Sequence, residues 1–333
     1  MNEISALNLL DEKLQILNQT KLPLVEEYIL TDDLERICES IEKLEVRGAP
    51  AIGIAAAYGF ALSFKLKSEL NDNFIMQVYS RLAKTRPTAK NLFFAIDRML
   101  KVAKKSNQSN IYHNLIEEAI KIHKEDIEMC NKMGENGIEI FKKKSIVLTH
   151  CNTGSLATGG SGTALSVIKT AFYNNLIEMV FVDETRPLLQ GSRLTAFELE
   201  KVGIPFKIIV DSAASHTILT QNVDLVITGA DRIASNGDSA NKIGTYNLAI
   251  SCNYHKIPFY IAAPSSTIDS QIKNGKGIII EERSNSEITS LNGNEITKSK
   301  YNTFSPAFDV TPNSLISGIV TEKQVFRFPY KFV

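Results

Sequence analysis

Two side chains able to do chemistry stand where apolar runs end. Val223 to Lys242 reads Val-Asp-Leu-Val-Ile-Thr-Gly-Ala-Asp-Arg-Ile-Ala-Ser-Asn-Gly-Asp-Ser-Ala-Asn-Lys, a strand-like run that closes on small residues and one carboxylate, Asp231. Ser145 to His150 makes a similar run and stops at Cys151. Runs of this kind fit parallel strands buried on both faces, and open α/β sheets gather their ligands outside the carboxyl ends of such strands. A thiol and a carboxylate therefore share one rim in this reading. Apolar walls around Asp231 would desolvate it, raise its pKa and let it hold a proton for donation near neutral pH. Backbone N–H groups in the polar Cys151-Asn152-Thr153-Gly154 stretch would favour a reactive thiolate. Plainer roles stay open on these residues alone, since a free cysteine usually packs as a small hydrophobe and an aspartate often caps a turn. Cys38, Cys130 and Cys252 are assigned that packing role.

Three further groups suit a phosphate. Arg47-Gly48-Ala49-Pro50 places a guanidinium, a glycine that permits close backbone approach and a helix start in succession. Arg86-Pro87-Thr88 opens another helix in the same way, and Asn241-Lys242 adds an amide and an ammonium just after Asp231. The glycine-rich Gly160-Ser-Gly162-Thr-Ala-Leu165 lacks the third small residue of a dinucleotide fingerprint and has no Gly-Lys-Ser/Thr ending, so both nucleotide motifs are rejected. It reads as a turn into a helix whose first N–H groups could receive an anion. His113, His123 and His255 read as surface residues, while His150 and His216 sit at strand or loop ends without metal-ligand spacing.

Positioning these residues takes two kinds of segment. Leu14 to Leu17 and Val25 to Leu30 suggest a small hairpin or two short strands. From Thr31, read as an N-cap with Asp32 and Asp33 in the first turn, helical spacing covers Leu34 to Leu44, then roughly 51–66, 72–83, 89–104 and 110–141. Beyond Lys142 to Lys144 strands alternate with helices: strands at 145–150, 178–183, 206–210, 224–228 and 258–262, helices from about Gly162, at 189–202, through Ile218 and at 243–254. Gly277 to Glu281 is expected to add a strand, and Phe326, Phe328, Tyr330 and Phe332 to dock a tail on an apolar surface. The expected fold is α/β: a mostly helical N-terminal domain with a small β element (1–143), contributing phosphate contacts, followed by a Rossmann-like, doubly wound parallel-sheet catalytic domain (144–333).

Bulk composition excludes several classes. A chain of 333 residues with 44% hydrophobic and 22% charged content folds as an ordinary globular protein. Its 37 basic and 37 acidic residues balance, so no overall field draws it to nucleic acid or an anionic membrane. Ala49 to Phe64, the longest apolar stretch, is broken by Pro50, Gly53 and Gly59 and falls short of the ~20 residues that span a bilayer. Glu3, Asp11 and Glu12 interrupt the first segment, which argues against a signal peptide and for a cytoplasmic address. Four scattered cysteines without Cys-x-x-Cys or Cys/His spacing argue against disulfides and a structural zinc site, and no metal or cofactor is expected.

Taken together, several motifs resemble one family along nearly the whole chain: Leu17-Asn-Gln-Thr-Lys-Leu-Pro23, Val46-Arg-Gly-Ala-Pro-Ala-Ile-Gly53, Arg86-Pro-Thr-Ala89, Thr149-His-Cys-Asn-Thr-Gly154, Asp183-Glu-Thr-Arg-Pro187, Gly229-Ala-Asp231 and Pro306-Ala-Phe-Asp-Val-Thr-Pro312. The chain resembles the methylthioribose-1-phosphate isomerases, part of a superfamily that also holds regulatory subunits of the guanine-nucleotide exchange factor of translation initiation. Asn18, where the family often has Asp, and Thr153, where a small residue is common, depart from the pattern. The resemblance implies an aldose-ketose isomerase of methionine salvage, with Asp231 as proton donor and Cys151 as second catalytic residue. It implies Arg47, Gly48, Ala49, Arg86, Gln190, Asn241 and Lys242 as substrate contacts, a small-molecule sugar phosphate as substrate, and a homodimer. Isomerisation of 5-deoxyribose 1-phosphate or ribose 1,5-bisphosphate, and a nonenzymatic regulatory subunit, remain as alternatives.

Overall fold

The structure, a computed structural model, describes residues 4–65, 71–87, 89–291 and 293–332. They fall into two compact units: residues up to Asn131 with Gly154–Gly162, and Lys132–Thr153 with the chain from Thr163 onward.

The first unit opens with an antiparallel meander of β1 (Leu7–Leu10), β2 (Lys13–Leu17) and β3 (Tyr28–Thr31), one strand more than the hairpin expected. Four helices follow: α1 (Leu34–Glu42), α2 (Ala49–Leu62), α3 (Asp72–Thr85) and α4 (Lys90–Lys105). A fifth, α5 (Ile111–Gly137), leads out of the unit. Asp33, not Thr31, caps α1, accepting from the Glu35 N–H at 3.2 Å, while the Thr31 hydroxyl accepts from the Asp33 N–H at 3.1 Å. The expected cap thus supports the real one. Asn71 caps α3 through the Phe74 N–H at 2.8 Å, satisfying a donor that the helix itself leaves open. Helix α2 is buried from Ala51 to Leu62, which explains its lack of a polar face. Its Gly53 lets α4 come close: a Cβ there would lie 2.8 Å from the Asn91 carbonyl oxygen. The expected helix end at Leu66 lies outside the described residues.

Asp126 of α5 pins the Gly154–Gly162 segment, accepting from the Gly159 N–H at 2.6 Å, and His123 reaches the Gly159 carbonyl at 3.1 Å and the Tyr58 hydroxyl at 3.0 Å. His123 is therefore a half-buried structural residue, not a surface one. Its polar partners come from helix α2 and from a distant loop, which no local pattern reveals.

The second unit holds a seven-stranded sheet in the order β16-β15-β10-β7-β4-β5-β6. Its strands are β4 (Ser145–Thr149), β5 (Ile177–Asp183), β6 (Phe206–Ile209), β7 (Leu225–Thr228), β10 (Phe259–Ala262), β15 (Gly318–Val320) and β16 (Val325–Phe326). All pairings are parallel except that of β16 on the edge. The crossovers contain α6 (Ala164–Tyr173), α7 (Ala196–Val202), α8 (Ala214–Thr220) and α9 (Thr245–His255). Alternate residues feed two cores: Val147, Val180, Val182 and Ile227 on one face, Leu148, Phe181, Val226 and Ile261 on the other. This double burial is why the strands read as continuous apolar runs.

A second sheet, in the order β11-β8-β9-β14, interrupts the alternation. It joins β8 (Arg232–Ala234), β9 (Ser239–Lys242), β11 (Ile268–Asp269) and β14 (Phe308–Thr311), strands too short to stand out in the sequence. A small hairpin of β12 (Ser290–Leu291) and β13 (Asn294–Glu295) lies beyond it. No strand forms at Gly277–Glu281: Ile278 and Ile280 pack on Ala234 and Ala240 while Ile279 stays exposed, so the alternation reflects packing on the second sheet without ladder pairing. At the C-terminus Phe326 and Tyr330 are buried and Phe332 packs on them, but Phe328 points to solvent.

Two expectations follow. Ile227→Ala removes methylenes from a fully buried site and is expected to cost ~2–5 kcal/mol in urea denaturation; a loss below about 1 kcal/mol would contradict the packing described. Burial pushes the Asp126 carboxyl from its ordinary 3.8 up to about 6 against the pull of its hydrogen bonds. The folded chain therefore binds an extra proton between those values, and this group's contribution to stability declines as pH rises through that window. Asp126→Asn should flatten that part of the stability profile, and an unchanged slope would count against it.

Candidate active site

Strand order locates the site before any side chain is considered. From β4 the chain builds outward to β5 and β6 on one side, then returns to lay β7, β10 and β15 on the other. The reversal falls between β4 and β7, and a crevice opens beyond the carboxyl ends of the two strands that flank such a switch. Because β4 and β7 are parallel neighbours, in register at Val147 with Leu225 and Leu148 with Val226, both chains leave the sheet at the same edge. One delivers His150 and Cys151, the other Gly229, Ala230 and Asp231. The two loops touch: a Cβ on Gly229 would lie 2.6 Å from the Thr153 Cγ2. Any residue larger than glycine would push them apart.

Cys151 is buried and holds a left-handed backbone, φ 63°. Both its peptide groups are tied, the N–H donating to the Thr185 hydroxyl at 2.9 Å and the carbonyl accepting from the Thr195 hydroxyl at 2.7 Å. Thr185 and Leu189, on the loop after β5, are also left-handed, at φ 65° and 57°. Non-glycine residues in this region cost of order 1–3 kcal/mol each and persist where surrounding structure over-determines them. Asn152 extends the network, donating to Glu198 at 2.9 Å, and the fully buried Glu198 also accepts from the Lys169 ammonium at 3.0 Å. Sequence reading missed Glu198, which sits in an ordinary helical pattern.

Asp231 follows β7 and donates its N–H to the Ala240 carbonyl at 2.9 Å. Asp231 is exposed, so the described residues do not give it the apolar surroundings that would desolvate it. The second sheet supplies its neighbours. Strand β9, paired antiparallel to β8 with Arg232 opposite Ala240, carries Asn241 and Lys242 to the same region. Asn241 is buried and donates to the Thr245 hydroxyl at 2.9 Å. Lys242 donates to the Ala307 carbonyl at 2.8 Å with its ammonium 4.7 Å from the Phe308 ring centroid, which fixes a flexible side chain. Gln190 is buried, and its Oε1 has no hydrogen-bond partner among the described residues.

His150 and Asp183, at the ends of β4 and β5, form a buried pair at 2.8 Å. Burial opposes charge on His150, but the hydrogen bond and charge of Asp183 outweigh it and its pKa is raised. With Asp211 they place ligand-type atoms within 4.8 Å of one another, a cluster invisible to spacing because it draws on three separate strand ends. Asp211, however, already uses its two oxygens on the Thr185 and Arg186 N–H groups, at 2.8 and 2.7 Å.

In the helical unit Gly48 adopts φ 90°, and a Cβ there would lie 2.4 Å from the Ala157 carbonyl oxygen. Only glycine fits. Ala49 then starts α2 with Pro50 in its first turn. Arg86 ends α3 ahead of α4 and does not itself open a helix, and Thr88 lies outside the described residues. The contact of Gly53 with Asn91 joins the first turns of α2 and α4, so Arg47 and Arg86 both precede helix starts at one end of this unit. Helix-start N–H groups and guanidinium groups are the kinds of donor that favour an anion. Cys151, Gln190, Asp231, Asn241 and Lys242 thus stand on the sheet unit, and Arg47, Gly48, Ala49 and Arg86 on the helical unit.

A Rossmann-like sheet whose strand-end loops carry a thiol, a carboxylate and an ammonium defines the chain as an α/β protein. Comparison narrows the class. The profile described as the Initiation factor 2 subunit family matches residues 45–327. A methylthioribose-1-phosphate isomerase from Caldicellulosiruptor saccharolyticus is 48% identical over 326 residues, 96% of this chain and 95% of that protein. The crystal structure of 5-methylthioribose 1-phosphate isomerase from Pyrococcus horikoshii superposes with a TM-score of 0.94 at 39% identity, covering 99% of this chain and 94% of that one. The structure titled translation initiation factor eIF-2B, subunit delta, from A. fulgidus gives 0.89, also at 39% identity, over 98% and 97% of the two chains. The chain belongs to the initiation factor 2 subunit family, on the branch of the methylthioribose-1-phosphate isomerases.

A buried acceptor left unpaired costs about 1–3 kcal/mol, which a hydrogen-bonding ligand recovers. Gln190→Met is therefore expected to leave thermal stability unchanged or raised in scanning calorimetry, and a clear loss of stability would show that the amide oxygen is paired after all.

Proposed function

We propose that this protein converts 5-methylthioribose 1-phosphate, a cyclic aldose phosphate, into 5-methylthioribulose 1-phosphate in methionine salvage. Asp231 is the proton donor and Cys151 the second catalytic residue. The observation that carries this reading is the parallel pairing of β4 with β7, which sends the loops of Cys151 and Asp231 out at one edge and into contact. The named relatives supply the substrate.

A phosphate ester on the anomeric oxygen locks the sugar as a ring, so the aldehyde used by ordinary aldose isomerases is not available. Asp231 protonates the ring oxygen as its bond to C1 breaks, leaving a cation at C1 stabilised by the ester oxygen. Hydrogen then moves from C2 to C1, and the C2 hydroxyl loses its proton, which restores the carboxyl group. Cys151 acts as base in a proton-transfer route or stabilises charge in a hydride-shift route. Asp231 is exposed in the chain alone, so the bound substrate completes its enclosure. Gln190, Asn241 and Lys242 on the sheet unit are read as substrate contacts, and so, from the family resemblance, are Arg47, Gly48, Ala49 and Arg86 on the helical unit. The enzyme works as a cytoplasmic homodimer; among the described residues no helix is long and apolar enough to cross a membrane.

The likeness to the A. fulgidus structure favours a second reading, a nonenzymatic regulatory subunit. Turnover of 5-methylthioribose 1-phosphate, 5-deoxyribose 1-phosphate and ribose 1,5-bisphosphate, assayed side by side, separates the readings. The first substrate is expected to be preferred; absence of turnover on all three, with stoichiometric capture of translation-factor subunits, would support the second. Asp231→Asn and Cys151→Ala are each expected to lower activity ~100-fold or more. Arg86→Ala should act on KM with kcat largely kept, and a loss confined to kcat would contradict a phosphate-binding role.

A further inference from the structure

The buried histidine beside Cys151 has a role that sequence spacing does not reveal. The His150 Nε2 lies 2.9 Å from the Ile243 carbonyl oxygen. A carbonyl only accepts, so Nε2 carries a hydrogen. The other nitrogen, Nδ1, faces a carboxylate oxygen of Asp183 at 2.8 Å, so a second proton occupies that contact as well. Both ends of the ring are thus anchored, and the proton at Nδ1 is shared with Asp183, whose own pKa burial raises while the hydrogen bond and charge of His150 lower it. Gly244 closes over it: a Cβ there would lie 2.9 Å from the His150 Cε1. Gly191 closes from the other side, where a Cβ would fall 1.7 Å from the Asp183 carbonyl oxygen. That same carbonyl accepts from the Thr185 hydroxyl at 3.0 Å, and the Thr185 oxygen holds the Cys151 N–H.

Two chains of contacts therefore run from Asp183 to the thiol residue. One passes through its side chain to His150, the immediate neighbour of Cys151; the other passes through its backbone and Thr185 to the Cys151 N–H. The ring also reaches Ile243, next to Lys242. Neither His150 nor Asp183 is open to a substrate, at 1% and 2% exposure. Charged or titratable groups around the pair are Asp211, Glu184, Asp309 and Cys252. We propose that His150, held as a doubly protonated ring by Asp183 and the Ile243 carbonyl, is a positioning residue that fixes the left-handed turn of Cys151 for the reaction. This rests on the proposed role of Cys151. A buried charge pair that contributes little net stability can still fix one geometry among several.

The test has two arms on the full-length protein. Nitrogen NMR of the histidine rings at neutral to mildly alkaline pH is expected to show both His150 nitrogens protonated, and an Asp183→Asn variant to lose one of those protons. This arm stands whether or not the protein is an isomerase. In the kinetic arm, His150→Gln keeps a donor toward Ile243 and is expected to lower kcat ~10–100-fold, the scale of a misplaced catalytic group, with KM within about threefold. On a Cys151→Ala background the same change should produce no further loss, because the residue acts through Cys151. A singly protonated ring in the native protein, a loss appearing in KM, or additive losses on the two backgrounds would each overturn the inference. If Cys151→Ala itself were harmless, the functional reading would fall, while the ring protonation would still decide the state of the pair.

Discussion

Parallel pairing between Val147–Leu148 and Leu225–Val226 is the constraint on which the rest of this molecule depends. Parallel neighbours leave a sheet at the same edge, so residues 76 to 80 positions apart in sequence are delivered to one rim by backbone hydrogen bonding alone. Side chains contribute the permission for it. Gly229 is small because the Thr153 methyl stands where its Cβ would be, and the strands are apolar on both faces because helices cover both. The two cores have no polar chemistry to perform. They hold two loops in contact at their common end, and burying about 25 cal/mol of free energy per Å² of apolar surface makes that arrangement cooperative with folding of the whole unit.

Strain and buried polarity concentrate at that end. Cys151, Thr185 and Leu189 are left-handed without being glycine, and Glu198, Asp183 and His150 are almost wholly buried. Each is unfavourable taken singly. They pair with one another, apart from one oxygen of Asp183 that has no partner among the described residues: Thr185 holds Cys151, Asp183 holds Thr185 and His150, and Glu198 holds Asn152 and Lys169. Such a network resists local rearrangement because moving any one member leaves another buried group unpaired. Rigidity placed here serves geometry more than stability.

Much of this was legible in the sequence, and the reason is physical. Doubly buried strands read as apolar runs, and the small residues that end them mark where the chain must turn tightly, so Cys151 and Asp231 could be placed at strand ends. Gly48 was read as a position of close backbone approach, and its φ of 90° with the Ala157 backbone against it bears that out. What escaped was whatever depends on distant partners. The four strands of the second sheet are two to four residues long, below the length at which alternation can be recognised, and β9 among them positions Asn241 and Lys242. His123 looked like a surface residue until Gly159 arrived from far along the chain to meet it. Asp231 was read as a group that apolar walls would desolvate, and it is exposed, one residue before β8 begins at Arg232. Glu198 carried no signal: a buried carboxylate and a solvated one look the same in a helix.

Fold alone cannot decide activity in this family, since a structure titled as an isomerase and one titled as a translation-factor subunit superpose on the chain at the same 39% identity. A fold fixes where a site can be, and particular side chains determine whether chemistry happens there. A surface that binds another protein has no need of a buried cysteine whose strained backbone is held by two hydroxyl groups, nor of a buried amide with an unpaired oxygen. Both cost stability, and both follow the carboxyl ends of β4 and β5. Backbone strain and an unpaired buried acceptor at one edge of a sheet are features that packing alone does not call for.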